Sequence, residues 1–212
     1  MEEGLSHRPR SALVTGSDSG IGRATAVALA EAGMDVGITR LGDDRDAQAT
    51  AEEVRAAGTR AVVAQLEVSE LDRCGDVIDA MCHELGGIDV FVNNAGTNGM
   101  TPALEVTLEE WRRIVATDLD GAFVCIQRAA RRMVAAGTGG RIIAVTSVHE
   151  HQPRVGMSHY VAAKHGLGGL IKTLALELAE RGITANSVAP GEISTPMNNQ
   201  GDVNPHSIVR RG

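Results

Sequence analysis

Short apolar segments alternate with longer segments of helical periodicity along most of this chain. The apolar segments predict strands at residues 11–15, 34–39, 60–66, 88–92, 141–146 and 183–188. The periodic segments predict helices at residues 20–32, 43–57, 70–85, 108–116, 121–136 and 158–181, several of them ending before a Gly. This alternation predicts an α/β fold, a doubly wound parallel sheet with helices on both faces.

The pattern predicts a single domain over residues 11–212, preceded by a polar, disordered tail at residues 1–10. No internal repeat, low-complexity linker or boundary of a second domain interrupts it. From Pro190 onward the sequence is rich in Pro, Gly, Asn and Thr, which is typical of a loop.

The amino-acid composition disfavours several classes of binding partner and several kinds of functional site. The net charge of −7 disfavours nucleic acid, whose phosphates the chain would repel. Cys74, Cys82 and Cys125 lack metal-ligand spacing and the seven His are scattered, so neither a disulfide framework nor a metal site is expected. The sequence has no signal peptide and no apolar run of membrane-spanning length, which predicts a cytoplasmic protein without a membrane partner.

A Gly-rich turn, TGSDSGIG at residues 15–22, joins the first predicted strand to the first predicted helix. Glycines there permit a tight turn and the close approach of a pyrophosphate, which the helix N-terminus attracts through its free N–H groups. The turn predicts a Rossmann-type nucleotide site formed by Gly16, Ser19, Gly20, Ile21 and Gly22. A turn that only packs the helix on the strand is the alternative.

Arg40 follows the second predicted strand, where dinucleotide-binding folds carry the residue that distinguishes the two nicotinamide cofactors. An acid there binds the ribose 2′-hydroxyl of NAD(H), whereas Arg can bind the 2′-phosphate of NADP(H). We therefore expect NADP. NAD remains the alternative, because Asp43 and Asp44 would repel a phosphate and Arg40 is also consistent with a solvated strand end.

Tyr160 is the only tyrosine of the chain and lies four residues before Lys164 in a predicted helix. This spacing places both side chains on one helix face. A phenol is a weak base at neutral pH, but a nearby ammonium stabilises its phenolate form. Tyr160 could then exchange a proton with a carbonyl or alcohol oxygen. A surface Tyr–Lys pair is the alternative.

Two further motifs follow predicted strands, at the rim where parallel sheets bind ligands. Ser147 follows the fifth strand, and its hydroxyl can bond a substrate oxygen while charge develops on it. Its alternative is a helix cap or a turn. The fourth strand is followed by NNAG at residues 93–96, and we expect Asn94, Ala95 and Gly96 to form a wall beside the cofactor. An ordinary turn is again the alternative.

Together these motifs resemble the short-chain dehydrogenase/reductase (SDR) family in its single-domain form. The matching elements are TGSDSGIG at 15–22, NNAG at 93–96, Ser147, YVAAK at 160–164 and PGEISTP at 190–196. The resemblance implies an NAD(P)-dependent oxidoreductase that transfers hydride between the nicotinamide and a carbonyl/alcohol substrate, with Tyr160 as general acid/base. It also implies a homotetramer or homodimer, joined through the helical regions 108–136 and 158–181.

The resemblance assigns further cofactor contacts. The lysine of the YxxxK motif, here Lys164, also bonds the nicotinamide ribose in the family. Other implied contacts are Pro190, Gly191, Ile193 and Thr195 around the nicotinamide, and Glu67 and Val68 at the adenine.

The sequence departs from the family pattern in two places. Asp118 replaces the usual Asn, which is thought to hold a water in a proton relay with the lysine. The carboxylate of Asp118 could do the same, and its charge would also act on Lys164, so Asp118 is a fourth candidate catalytic residue. Family chains usually continue through another helix and a seventh strand, whereas this sequence ends at Gly212. Without that strand, we expect an open sheet edge and apolar surface.

The expected substrate is a small ketone, sugar or polyol, because the chain has few aromatic residues to hold a large flat molecule. His149, His151 and His159 could contact a polar substrate, although loop positions explain them equally simply. A catalytically silent NADP(H)-binding regulatory protein is the alternative function. The complete set of Ser147, Tyr160 and Lys164 disfavours it, because a sensor does not need a tuned phenol.

Overall fold

The computed structural model of the chain describes residues 8–195. Most of the predicted tail, and the part of the predicted domain after residue 195, lie outside the described residues. The strands are β1 (Ser11–Val14), β2 (Asp35–Arg40), β3 (Ala61–Gln65), β4 (Val90–Asn93), β5 (Gly140–Val145) and β6 (Ile183–Val188). The α-helices are α1 (Gly20–Glu31), α2 (Asp44–Ala56), α3 (Leu71–Leu85), α4 (Leu108–Val115), α5 (Ala122–Ala136) and α6 (Ser158–Leu178).

The six strands form one sheet in the order β3-β2-β1-β4-β5-β6, and every neighbouring pair is parallel. The chain moves outward from β1 to β3 and then returns to place β4 on the other side of β1. The connections therefore diverge at the boundary between β1 and β4, which is where open α/β sheets form a ligand crevice. The predicted fold class, a Rossmann-type parallel sheet, is confirmed.

Side chains that alternate along the central strands form a core on each face of the sheet. Leu13 and Phe91 point to the face covered by α3, α5 and α6, where they pack with aliphatic residues such as Ile126. The adjacent Val14 and Val92 point to the other face and pack against α1 and α2. This alternation has the period of two that a strand imposes, and it explains why β1 and β4 are apolar throughout.

Several helix ends follow the expected capping chemistry. Thr107 accepts a hydrogen bond from the backbone N–H of Glu110 and so begins α4. Gly86, Gly137 and Gly182 end helical segments in the left-handed conformation, with φ of 78°, 69° and 68°. Among the described residues, no helix is both long and apolar enough to cross a membrane.

The region between α4 and α5 differs from the prediction of two separate helices. Residues Ala116–Gly121 form a π-helical turn that continues one helix into the next, and it buries Asp118 and Gly121. A Cβ at Gly121 would lie 2.2 Å from the carbonyl oxygen of Val68, so glycine allows this turn to pack directly on the loop after β3. Wide turns of this type are rare and often occur at functional sites.

Candidate active site

A cleft of about 570 Å³ lies at the carboxyl ends of the central strands, between the start of α6 and the segment after β6. Predicted site residues that line it are Ile21, Asn94, Gly96, Asp118, Ser147, Tyr160, Lys164, Pro190, Gly191, Ile193 and Thr195. The fold therefore brings together the ends of motifs that are widely separated in sequence. The other predicted site residues lie outside this lining: Gly16, Ser19, Gly20, Gly22, Arg40, Glu67, Val68 and Ala95.

The Gly-rich turn between β1 and α1 requires glycine at several of its positions. Gly16 and Gly20 have φ of 61° and 54°, in the left-handed region that other residues rarely adopt. A Cβ at Gly22 would lie 2.2 Å from the carbonyl oxygen of Gly16. A Cβ at Gly16 would lie 3.0 Å from the Cα of Ala95, so this part of the turn also passes close to the end of β4.

Asn94 and Thr15 fix the turn to the end of β4. The Asn94 amide nitrogen donates to the carbonyl oxygens of Thr15 at 2.9 Å and Gly16 at 2.8 Å. In return, the Thr15 hydroxyl accepts the backbone N–H groups of Asn94 at 2.9 Å and Ala95 at 3.0 Å. Four hydrogen bonds therefore hold the turn against the end of β4. It stands at a helix N-terminus where the Ser19 side chain makes no capping bond, which fits a dinucleotide pyrophosphate.

Arg40 at the end of β2 is engaged with a neighbouring acid. Its Nε lies 2.7 Å from Oδ1 of Asp44, and its Nη1 donates to the carbonyl of Gly42. Hydrogen bonds from Gln48 and from Arg40 lower the pKa of Asp44. Burial raises the pKa of Asp18 in the Gly-rich turn, and the charge of Asp46 raises it further. The positively charged Arg40 therefore lies among acidic side chains.

The two residues expected at the adenine lie beside the π-helical turn. Glu67 accepts hydrogen bonds from the Ser69 hydroxyl at 2.6 Å and the Ser69 N–H at 3.1 Å, so its carboxylate is oriented within its own loop. Val68 is buried and packs its carbonyl against Gly121.

Tyr160 and Lys164 occupy one face of the beginning of α6, as their spacing predicted. The Lys164 ammonium lies 5.4 Å from the centre of the Tyr160 ring. Tyr160 is half-buried, and the His149 ring approaches it edge-on with the ring centres 6.3 Å apart. The phenol is therefore accessible from the cleft while its ring is held by neighbouring side chains.

Lys164 and Asp118 form a buried ion pair. Lys164 Nζ lies 2.9 Å from Asp118 Oδ2, with the two side chains 5% and 0% exposed. The other carboxylate oxygen accepts the backbone N–H of Thr97 at 2.7 Å. A Cβ at Gly96 would lie 3.2 Å from Asp118 Oδ2 and 3.3 Å from Lys164 Nζ, so glycine at this position leaves room for the pair. The carboxylate compensates the charge that burial of Lys164 would otherwise leave unpaired.

Ser147 is buried at the end of β5 and lines the cleft. Its Oγ accepts the backbone N–H of His149 at 3.1 Å, in an extended conformation that begins a short helical turn. Ser147 therefore caps the short helical turn, which was the alternative explanation of this residue. The cap uses the hydroxyl oxygen only as an acceptor. The hydroxyl proton can still be donated to a substrate oxygen.

Other cleft residues carried no sequence signal. Thr97, Gly99 and Met100 follow NNAG in an irregular segment without a motif. Of the three His considered for the substrate, only His149 lines the cleft. His151 approaches Glu150 instead. His159 is fully buried in α6, away from the loop position that was its alternative explanation.

Sequence comparison finds relatives over most of the chain. Residues 10–204 match the family described as short chain dehydrogenase. YohF of Escherichia coli K12, named as an uncharacterised oxidoreductase, is 50% identical over 191 residues, which cover 90% of this chain and 76% of the relative. The 3-oxoacyl-[acyl-carrier-protein] reductase FabG of Staphylococcus epidermidis is 40% identical over 190 residues, covering 90% and 78% of the two chains.

Solved structures agree with the sequence relatives. The acetoin dehydrogenase YohF from Salmonella typhimurium superposes with a TM-score of 0.88 at 48% identity, covering 93% of this chain and 78% of that one. The acetoin dehydrogenase from Enterobacter cloacae gives a TM-score of 0.86 at 49% identity, covering 90% and 78%. The chain therefore belongs to the short-chain dehydrogenase family and is an NAD(P)-dependent oxidoreductase.

Proposed function

We propose that the protein interconverts a small ketone and the corresponding alcohol, with Tyr160 as the general acid/base. The observation that carries this proposal is the presence of Ser147, Tyr160 and Lys164 in the lining of one cleft beside the Gly-rich turn. A catalytically silent regulator would need the turn but not this set of proton-bearing groups, so the proposal favours catalysis over the regulatory alternative.

The nicotinamide cofactor supplies or accepts the hydride when it is bound, and the chain holds it along the carboxyl edge of the sheet. We assign the pyrophosphate to the Gly-rich turn, through Gly16, Ser19, Gly20, Ile21 and Gly22. The remaining proposed contacts are Glu67 and Val68 at the adenine, Asn94, Ala95 and Gly96 along the ribose, Lys164 at the nicotinamide ribose, and Pro190, Gly191, Ile193 and Thr195 around the nicotinamide.

The proton steps follow from the groups in the cleft. During reduction, the Ser147 hydroxyl donates a hydrogen bond to the substrate oxygen and holds it as negative charge develops. The Tyr160 hydroxyl gives its proton to the same oxygen, and the Lys164 ammonium stabilises the resulting phenolate. During oxidation, the phenolate of Tyr160 accepts the proton of the substrate alcohol.

Asp118 has a distinct part in this scheme. Its carboxylate holds Lys164 Nζ at 2.9 Å, which fixes the ammonium between Tyr160 and the expected ribose position. Because Asp118 accepts the N–H of Thr97, the lysine is linked through this carboxylate to the backbone after β4. We propose that Asp118 takes the place of the family's Asn and positions Lys164 through a charge rather than through a neutral amide.

We propose NADP(H) as the preferred cofactor, with Arg40 binding its 2′-phosphate. Support comes from the position of Arg40 at the end of β2, where a guanidinium can bind a phosphate with two hydrogen bonds. The contact with Asp44 would have to be exchanged for the phosphate, so Asp44 should oppose NADP(H) binding.

Two variants test the cofactor assignment. Arg40→Asp should lower the ratio of kcat/KM for NADPH to that for NADH by about tenfold or more, because it replaces a phosphate ligand by a like charge. Asp44→Asn should raise the same ratio, because it frees the guanidinium of Arg40. If neither variant changes the ratio, Arg40 does not contact the 2′-phosphate.

The relatives suggest which carbonyl compounds to examine. Two similar structures are named acetoin dehydrogenases, and a more distant relative is named a 3-oxoacyl-[acyl-carrier-protein] reductase. All these names describe a ketone close to a second oxygen-bearing carbon. We propose a small ketone of the acetoin type, because the acetoin dehydrogenases are the more similar proteins in sequence.

The direct test is turnover in both directions: NADPH and NADH with diacetyl, acetoin, a short 3-oxoacyl thioester and an aldose, and NADP+ and NAD+ with acetoin and a polyol. Diacetyl or acetoin should change the cofactor absorbance at 340 nm as the nicotinamide is reduced or oxidised. Faster turnover of the thioester or the sugar would overturn the substrate assignment. Cofactor binding without turnover of any compound would favour the regulatory alternative.

We also propose that the protein is a homo-oligomer, a dimer or a tetramer. Trp111 on α4 and Phe123 on α5, two large aromatic residues of the region expected to join the subunits, are 39% and 42% exposed. Light scattering coupled to size-exclusion chromatography should give a multiple of the 22.2 kDa chain mass. A monomer at micromolar concentration would contradict this assignment.

A further inference from the structure

A partly buried polar contact joins α4 to α6. His159 immediately precedes Tyr160 in the first turn of α6, and its side chain is 0% exposed. His159 Nε2 lies 3.2 Å from Oε1 of Glu110, which belongs to the first turn of α4. Neither residue lines the cleft, so this contact is separate from the groups proposed to touch the substrate.

The same glutamate holds the segment after β4, which we call the wall loop (residues 97–101). The Thr101 hydroxyl donates to Glu110 Oε1 at 2.8 Å, and the Thr101 N–H donates to the carbonyl of Gly156 at 2.7 Å. A Cβ at Gly99 would lie 2.6 Å from His159 Nε2 and 3.0 Å from Glu110 Oε1. The wall loop therefore lies directly against the His–Glu contact.

The beginning of the wall loop is held by other groups. The Thr97 N–H donates to Asp118, and the Thr97 hydroxyl accepts a hydrogen bond from Arg113 at 3.1 Å. The wall loop is thus attached at Thr97 and at Thr101. The four residues from Thr97 to Met100 line the cleft. The position of this wall thus depends on Asp118 at one end of the loop and on Glu110 with His159 at the other.

The hydrogen-bonding pattern indicates which nitrogen of His159 carries a proton. A carboxylate oxygen can only accept, so Nε2 must be the donor toward Glu110. His159 Nδ1 has no hydrogen-bond partner among residues 8–195, although it is buried. An unsatisfied buried nitrogen is costly, and a Leu of similar size would avoid that cost. A histidine at this position is therefore better explained by its contact with Glu110 than by packing alone.

We propose that His159 is a positioning residue, which acts through Glu110 to hold the wall loop in the shape that binds the substrate. The inference rests on the proposed function, because it takes the substrate to bind between the wall loop and Tyr160. The proton-bearing groups Ser147 and Lys164 are held by other contacts, with the His149 N–H and with Asp118. Loss of the His159 contact should therefore raise KM for the substrate much more than it lowers kcat.

Four single variants, one of them a control, test this role. His159→Leu keeps a similar volume and removes the donor, whereas His159→Gln retains an N–H that can reach Glu110. His165→Gln is the matched control, because His165 is an exposed residue of the same helix whose Nδ1 lies 2.9 Å from the carbonyl of Val161. Thr101→Val removes the other bond to Glu110 and keeps the test available if His159→Leu does not fold.

The first measurement is hydrogen–deuterium exchange of the wall loop, which needs no substrate. The Thr101 amide should exchange about tenfold faster in His159→Leu and in Thr101→Val. The wild-type rate should be retained in His159→Gln and in the control. Unchanged exchange in both His159→Leu and Thr101→Val would overturn the proposal, as would failure of His159→Gln to preserve the rate.

The second measurement is steady-state kinetics with the panel compound that the wild type turns over fastest. In His159→Leu, KM should rise about tenfold while kcat changes by less than about threefold and the cofactor Kd stays constant. Equal losses in kcat and kcat/KM would show that His159 acts on the chemical step instead. The exchange result stands even if Tyr160 proves dispensable, so failure of this inference and failure of the proposed function are distinguishable.

Discussion

Replacing Gly22 by Ala tests whether the Gly-rich turn depends on the absence of a side chain. The added Cβ would lie 2.2 Å from the Gly16 carbonyl oxygen and 2.5 Å from the Asn94 amide nitrogen. A carbon and an oxygen normally stay about 3.3 Å apart, so α1 and the turn would have to separate by about 1 Å. That movement would also break the 2.8 Å bond from Asn94 to Gly16.

The magnitude follows from three contributions. Overpacking costs about 1–3 kcal/mol, and the lost hydrogen bond costs about 1 kcal/mol. Ala is preferred over Gly within a helix by about 1 kcal/mol, which offsets part of this cost. The net loss of about 1–3 kcal/mol should lower Tm by roughly 2–12 °C in a chain of this size. Because the displaced turn is the proposed pyrophosphate site, the cofactor Kd should rise by at least about tenfold.

Gly169→Ala is the matched control. Gly169 also lies within a helix, but a Cβ there would meet no atom within 4 Å. Only the helix preference should act, so this variant should be as stable as the wild type or more stable by up to about 1 kcal/mol. Thermal unfolding and calorimetric titration with NADH and NADPH would measure both effects. If Gly22→Ala had the same Tm and cofactor Kd as Gly169→Ala, the Gly-rich turn would not depend on the absence of a side chain at position 22.

Two further substitutions and one chemical modification test other parts of the structure. Asp118→Ala should destabilise the protein in urea by about 3–5 kcal/mol, because it leaves the buried Lys164 ammonium without its counter-charge. Asp35→Asn should lower Tm at pH 7 by roughly 1–3 °C through loss of a partly exposed ion pair. Burial raises the pKa of Asp35, but hydrogen bonds from the Arg60 N–H and guanidinium outweigh it and leave that pKa lowered. This contribution is therefore present above the ordinary value of 3.8 and should vanish as the pH falls below it. Burial raises the pKa of Cys82 to about 11, so a thiol reagent at pH 8 should modify Cys82 rapidly only after unfolding.

For each of these three predictions, a different result would contradict the stated cause. An Asp118→Ala variant as stable as the wild type would show that Lys164 finds another partner or loses its charge. A Tm difference between Asp35→Asn and the wild type that persists unchanged at pH 3 would rule out the ion pair as its source. Rapid modification of Cys82 in the folded protein would mean that α3, in which this residue is buried, opens readily.

Local sequence signals were sufficient to predict the sheet, its helices and the family. Strand β6 was predicted to the residue, and the other elements differ from their predictions by one to three residues at an end. The reason is physical: β1 and β4 are buried on both faces, so their apolar runs are continuous, and several helix ends require a Gly in the left-handed conformation. Signals of this kind depend on neighbouring residues only.

Long-range contacts were harder to predict. The motif containing Asp118 was recognisable, but nothing local indicated the π-helical turn that buries it beside Lys164. The contact between His159 and Glu110 joins positions 49 apart in sequence, each of which is unremarkable alone. Arg40 was predicted from its place after β2, but its bond to Asp44 depends on how α2 begins. Such contacts are decided by packing between elements, which periodicity does not describe.

The proposed reaction depends on Tyr160 exchanging a proton with the substrate oxygen, and the variant Tyr160→Phe tests this step. The change removes one hydroxyl and keeps the ring that packs near Lys164 and His149. Turnover of the best panel compound should fall by at least about a thousandfold, while the Kd for NADPH stays within about threefold of the wild type. Turnover within tenfold of the wild type, with the cofactor still bound, would show that Tyr160 is not the general acid/base.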